Sequence, residues 1–324
     1  MRKLLFVAFG VIFCAAAAIA PAAAQIYPIR TVHIIVPYPA GGSNDIIARI
    51  LAQKLSESFG QQVVVENRGG ANGNVGAAAV ATAPADGYTL LLTAPGPLTA
   101  NAKLYKNLPF DPDKDFAPVA LVASVPIVLM VHPSVPANSV EELIALAREK
   151  PGTIDFGSSG NGSTNHLAGE LFKSMAHIDI VHVPYKGAAP AMTDLLGGHI
   201  PMLFDNMPAA LPQIQSGRVR ALAVAGATRA RALPALPTVA ESGLAGFEAS
   251  AWFGLVAPAA TPAPVLARIT RDVMDILQTP DVEQRFKELG AEPGTLSGAA
   301  FGAYLRAETD KWSKVIALSG AKLD

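Results

Sequence analysis

The sequence predicts an α/β fold arranged in two lobes. Three observations carry this reading: strand-like and helix-like segments alternate, Gly/Pro loops separate them, and two β-rich runs are too long for ordinary strands. Each long run is read as a passage between lobes, one outward and one returning. A discontinuous first lobe (25–125 plus 251–324) then wraps a continuous second lobe (126–250). Small-molecule sites favour the cleft between such lobes.

Arg2 and Lys3 open the chain, an apolar run extends from Leu4 to Ala20, and Ala22-Ala23-Ala24 offers a small-residue cleavage site. Residues 1–24 are therefore read as an export signal, and the exported chain as the 300 residues from Gln25. The run ends in small residues without a charged stop, which argues against a retained anchor. Cys14, the only cysteine, follows Phe13 where a lipid-modified cysteine needs a small residue. The exported chain then has no thiol, which excludes disulfides, thiolate nucleophiles and cysteine-held metals. Its 23 basic residues against 26 acidic ones suggest neither a nucleic acid nor an anionic membrane as partner.

The strand "TVHIIVPYP" leads to a helix whose Ile46, Ile47, Ile50, Leu51 and Leu55 recur on one face. "QQVVVENR" reads as a strand, the glycine-rich stretch after it as a turn into a small-residue helix, and "YTLLLTAP" as a third strand. "FAPVALVASVPIVLMVHPS" is the first long run. A helix follows with a capping box, Ser139 to Glu142, and stops at Pro151-Gly152. "TIDFGSS", a helix from about Ser163, "DIVHVPY", a short helix ending at Gly197-Gly198, "IPMLFDN" and "VRALAVAG" continue the alternation. "FEASAWFGLVAP" is the second long run, and the remainder from Thr261 reads as mostly helical.

Several of these strands end in loops suited to an anion. In "VPYPAGGSNDIIARIL", Gly41 and Gly42 allow close backbone approach, Ser43 is placed to cap the helix, and Asp45 suits its first turn. The G-K-[ST] ending of a phosphate loop is absent. In "GSSGNGSTNHLAGELF", Gly160-Asn161-Gly162 precede Ser163 and Thr164, again where a helix begins. Asn165 occupies the position of a third dinucleotide-binding glycine, and no acidic residue closes the next strand, so nucleotide binding is rejected. No G-x-S-x-G elbow occurs, and the six histidines form no ligand pairs. The default role of His166 is capping or packing. Lys186 reads as solvated, and Asp205-Asn206 as a strand-end turn or polar cleft residues.

One exposed helix N-terminus offers a carboxylate only about 0.3–1 kcal/mol, whereas micromolar binding needs about 8 kcal/mol. Several loops must therefore converge. They contain no arginine, so backbone amides, hydroxyls and ordered water are the expected donors.

Taken together, "YPIRTVHIIVPYPAGGSNDIIAR", "VENRGGANGNVGA", "ADGYTLLL", "VPYKGAAPAMTDLLGGHIPMLFDN" and "RALAVAGATRARALPALPTVAESGLAGFEASAWFGLVAPAATP" resemble the Bug/TctC family of periplasmic substrate-binding components of tripartite tricarboxylate transporters. The resemblance spans the exported chain. It implies a two-lobed periplasmic-binding-protein fold of the type II kind, with a small organic carboxylate in the interlobe cleft and permease subunits in the membrane as partners. It further implies a monomer in the periplasm without catalytic residues, cofactor, metal or membrane insertion. Carried over by motif, first-lobe contacts are Pro39, Ala40, Gly41, Gly42, Ser43, Asn44, Asp45, Gly70, Ala71, Asn72, Gly73 and Ala94. Second-lobe contacts are Ser159, Gly160, Asn161, Gly162, Ser163, Thr164, Tyr185, Lys186, Gly187, Asp205 and Asn206. Two alternatives are a ligand-presenting sensor component and an exported hydrolase or isomerase using His166 with a loop serine.

Overall fold

The computed structural model describes residues 27–319, so the expected leader, with Cys14, lies outside the described residues. From Val32 to Thr93 the chain forms β1 (Val32–Val36), α1 (Ser43–Phe59), β2 (Val63–Asn67), α2 (Asn74–Ala81) and β3 (Thr89–Thr93). β1 lies between β2 and β3, parallel to both. α1 buries Ile47, Leu51 and Leu55, spaced one helical turn apart, against this sheet.

A wide turn (Gly96–Ala100) and the single-turn α3 (Asn101–Leu104) lead to the first long run, which is one uninterrupted strand, β4 (Phe116–Val131). Beyond it come α4 (Val140–Glu149), β5 (Asp155–Ser158), α5 (Thr164–Ala176), β6 (Val181–Pro184), α6 (Ala188–Leu196), β7 (Met202–Asn206), α7 (Met207–Gln215) and β8 (Arg220–Val224). The capping box forms with a variation: Glu142 N donates to Ser139 Oγ, while the Glu142 carboxylate reaches back to the amide of Asn138, not Ser139. The second long run is β9 (Ser250–Pro258), followed by α8 (Ala263–Leu277), α9 (Pro280–Glu288), the two-residue β10 (Glu292–Pro293) and α10 (Gly298–Ser319).

The strands form one path, β2-β1-β3-β9-β4-β7-β5-β6. Residues 116–126 of β4 pair with β9, and residues 127–131 pair with β7. β8 also joins the later part of β4, and β10 joins the earlier part. The sheet is mixed. The outer strands are parallel, but β4 and β9 run antiparallel to the strands beside them, because the chain crosses the sheet through its centre.

Between the sheet and α10, Glu308 is buried and its Oε2 accepts from both Trp252 Nε1 (2.9 Å) and Trp312 Nε1 (3.0 Å). Glu308→Ala strands two enclosed indole N–H groups, so a loss of about 2–4 kcal/mol is expected. Glu308→Gln retains an acceptor oxygen and should recover much of this. Denaturant melts of both variants check the ranking, and equal stabilities would mean that water replaces the carboxylate.

Candidate functional site

The loop after β1 is held by Asp45. Its carboxylate accepts from Gly41 N (3.0 Å), Asn67 Nδ2 (3.0 Å) and Arg49 Nε (3.0 Å), and Asn67 Nδ2 also reaches Tyr38 O. Burial would raise the Asp45 pKa, but these hydrogen bonds outweigh it and hold the carboxyl below its ordinary value. Asp45 therefore shapes the loop. Asn44, in the orientation that satisfies both ends of its amide, donates to Leu92 O (2.9 Å) and accepts from Ala94 N (3.3 Å), tying the loop to the end of β3.

Ser43 corrects one expectation. The cap position of α1 belongs to Gly42, which offers no side chain, and Ser43 is already the first helical residue. Its hydroxyl is used elsewhere: Oγ accepts from Ala209 N (3.1 Å) in α7 and lies 3.4 Å from Asn206 O.

The glycine-rich passage closes the same side. Asn72 Nδ2 donates to Asn101 Oδ1 (2.8 Å), and Asn101 Nδ2 bonds Asn72 O and Asn74 Oδ1. A Cβ on Gly73 would stand 3.1 Å from the Tyr38 hydroxyl and one on Gly69 3.4 Å from Pro39 Cδ, so the two ends of this passage lie beside the loop after β1.

On the other side, Ser163 caps α5, accepting from His166 N (3.2 Å), and His166 Nδ1 accepts from Gly162 N (3.1 Å). The His166 ring stacks on His182 with centroids 3.9 Å apart, and His182 Nε2 lies 2.6 Å from Ser158 Oγ. Burial pushes His166 down to about 4; burial, then its neighbour His166, pushes His182 down to about 3. Both rings are therefore neutral at neutral pH and hold the Ser159–Thr164 loop in place. The rival catalytic reading gains little here. His166 Nδ1 is occupied by the Gly162 amide, its Nε2 lies 3.8 Å from Glu170 Oε1, and the Ser163 hydroxyl meets the backbone N–H of His166 and not its ring.

Tyr185 donates its hydroxyl to Asp194 Oδ2 (2.7 Å), and its amide bonds Ser158 O (3.2 Å), which ties the loop after β6 to β5. Lys186 is exposed, as its solvated reading requires. Asp205 is fully buried: Oδ1 accepts from Asn165 Nδ2 (3.1 Å) and Asn206 N (2.7 Å).

The two sides touch. Besides the Ser43 bridge, a Cβ on Gly187 would come within 2.8 Å of Pro39 Cδ, and Cβ atoms on Gly41 and Gly42 would lie 3.8 Å from Ala189 and Ala188. Gly187 also has φ 124°, a region that side-chain-bearing residues rarely occupy. Loops separated by more than a hundred residues are thus assembled at one place. There, α1 and α6 begin without a side-chain cap, leaving first-turn amides for another acceptor, while the Ala209 amide in the first turn of α7 is taken by Ser43.

A cavity of about 720 Å³ lies elsewhere, along the β4–β9 crossing, lined in part by Ser124, Pro126, Arg229, Arg231 and Lys287. The uncapped starts of α1 and α6 lie outside it, and the helix start that lines it, that of α9 at Pro280, is not part of the convergent loops. Arg229 and Arg231 are engaged by Glu241 and Glu292, so the convergent loops remain the stronger candidate.

Residues 47–320 match the family profile described as the tripartite tricarboxylate transporter family receptor. The chain belongs to this receptor family. It is 40% identical over 324 residues to Protein BugT of Bordetella pertussis, covering 100% of this chain and 99% of that one. Among solved structures, Rpa4515 of R. palustris with adipate is 41% identical, with a TM-score of 0.89 over 91% of this chain and 98% of the other. MatC from Rhodopseudomonas palustris with bound malate is 31% identical, with a TM-score of 0.85 over 90% and 100%. Fold and family are those of periplasmic solute-binding proteins. No helix among the described residues is long and apolar enough to cross a membrane.

Several residues that build this receptor's loops escape sequence reasoning. Asn165 is visible only as a missing glycine, yet it anchors Asp205. Arg49 in α1, Asn67 at the end of β2 and Asn101 in α3 act on the loops across 4 to 29 positions. Only Arg49, one turn after Asp45 on α1, carries a local signal.

Proposed function

We propose that the protein is a non-enzymatic, monomeric periplasmic receptor, which captures a small organic carboxylate between two lobes and delivers it to the permease of a tripartite tricarboxylate transporter. The lobes are residues 25–125 with 251–324, and 126–250. The observation that carries the reading is the meeting of two uncapped helix N-termini, α1 from the first lobe and α6 from the second, beside the start of α7 that Ser43 bridges to α1. Together with the backbone amides of the 41–45 and 159–164 loops they supply the several donors that useful affinity requires. The segments 39–45, 70–73, 94, 159–164, 185–187 and 205–206 form the anion's shell. Relatives carrying adipate and malate support a carboxylate as the ligand class.

Binding is linked to closure. The Ser43 bridge and the Pro39–Gly187 contact must part to admit a ligand, and a ligand touching both sides favours the joined state.

A thermal-shift screen with dicarboxylates, tricarboxylates, acidic amino acids and aromatic acids tests the proposal. A ligand at 100 times its Kd stabilises by about 2.7 kcal/mol, which for a chain of this size raises Tm by several degrees. A shift with one class and not the others names the distal chemistry. No shift with any acid would overturn the receptor reading.

A further inference from the structure

Asp205 holds an oxygen without a partner. Its Oδ1 is satisfied twice, but Oδ2 is buried and has no hydrogen-bond partner. An enclosed ionised carboxylate with half its acceptors unused is unfavourable unless a cation compensates.

The elements packed around β7 supply none. β4 has no ionisable side chain from Phe116 to Val131, nor has α7. β5 carries only Asp155, at its opposite end. From α5 come neutral His166, then Glu170 a turn further on, and Lys173, whose ammonium bonds Ile180 O. β6 brings His182, stacked on His166, and α6 brings Asp194, taken by Tyr185. α1, which meets α7, brings Asp45 with its own partner Arg49. Burial, opposed only by the two bonds to Oδ1, pushes Asp205 up to about 7.

We propose that Asp205 receives the ligand as a neutral acid, with a proton on Oδ2 donated in a hydrogen bond to the ligand's carboxylate. This rests on the receptor reading above. The reaction balances simply: an ionised Asp205, an anionic ligand and one proton from the buffer give a carboxylic acid bonded to a carboxylate. The partly positive starts of α1, α6 and α7 accommodate the single remaining charge.

The sign follows from linkage. Ligand selects the protonated form, so affinity is flat below the titration of free Asp205 and falls about tenfold per pH unit above it. An ammonium-bearing ligand satisfying an ionised Asp205 would show the opposite slope.

The test is titration calorimetry with adipate, malate, citrate, glutamate and benzoate in turn, at pH 6, 7 and 8, in two buffers of different ionisation enthalpy. Close to one proton should be taken up per bound acid at pH 8 and almost none at pH 6, with affinity about fivefold lower at pH 8 than at pH 7. Asp205→Asn keeps the Oδ1 acceptor and places an N–H donor where the acid O–H stood. It should bind the same acid without proton uptake and without the pH slope, a change that a merely structural role would not produce. Wild-type binding without proton uptake, affinity that rises with pH, or a slope that persists in Asp205→Asn would overturn the assignment while leaving the receptor reading intact. Failure of all five acids at every pH would overturn both.

Discussion

Ser163→Asp should weaken carboxylate binding at least a hundredfold while leaving the fold nearly as stable as before. Ser163 caps α5 through its hydroxyl, and aspartate caps as well as serine while its charge suits the helix start. What changes is the electrostatics of the mouth. A fixed negative charge about 5 Å from an incoming carboxylate repels it by about 3 kcal/mol at an effective dielectric constant of about 20, more than a factor of 100 in Kd. Ser163→Ala is the control, expected to lower stability by about 1 kcal/mol through the lost cap with only a small change in affinity. Calorimetric titration of both variants, with thermal melts, separates charge from capping. Unchanged affinity in Ser163→Asp would move the ligand away from α5. Gly162→Asp is a poorer probe, since Gly162 sits at φ 76° and any side chain there strains the loop.

Gly294→Ala should cost about 4 kcal/mol or more, the largest stability effect expected of a single methyl in this chain. A Cβ at Gly294 would stand 1.9 Å from Leu121 O and 2.5 Å from Leu121 C, both backbone atoms that no rotamer change can relieve. The contact cannot simply slide. Gly294 N donates to Val122 O (3.0 Å), Leu121 N donates to Leu296 O (2.9 Å), and β10 pairs with β4 immediately before. Either this segment detaches from β4 or β4 buckles where it serves both parts of the sheet. A thermal melt should show Tm lower by eight degrees or more. A drop within a degree or two would mean that the 290–297 segment is held far more loosely than its hydrogen bonds imply.

The alternation of strands and helices was legible because Gly and Pro punctuate it and the apolar spacing of α1 and α5 is helical. The loops that meet were legible too, since each carries glycines or hydroxyls at a helix start. What could not be read is how they meet. Ser43 has the residue type of a cap, yet its hydroxyl goes to α7, 166 positions away. The His166–His182 stack and the Asn165–Asp205 bond depend on the order β7-β5-β6, which no local periodicity encodes. β10 has two residues, too few for any alternation to register. The orphan oxygen of Asp205 exists only because every neighbour is in place.

The insertion of β9 between β3 and β4 also dictates an order of events during synthesis. Strands β3 and β4 are made early, but the strand that joins them consists of residues 250–258. Until these emerge, two apolar edges face outward with their backbone groups unpaired, and Leu91, Leu92 and Leu121 lack their β9 partners. A nascent chain can complete β1, β2 and α1 as a local unit, yet its central seam waits for the last quarter of translation. A chain stopped at residue 249 should therefore accumulate as an aggregating species that binds chaperones, where one stopped after α10 folds in a single cooperative step.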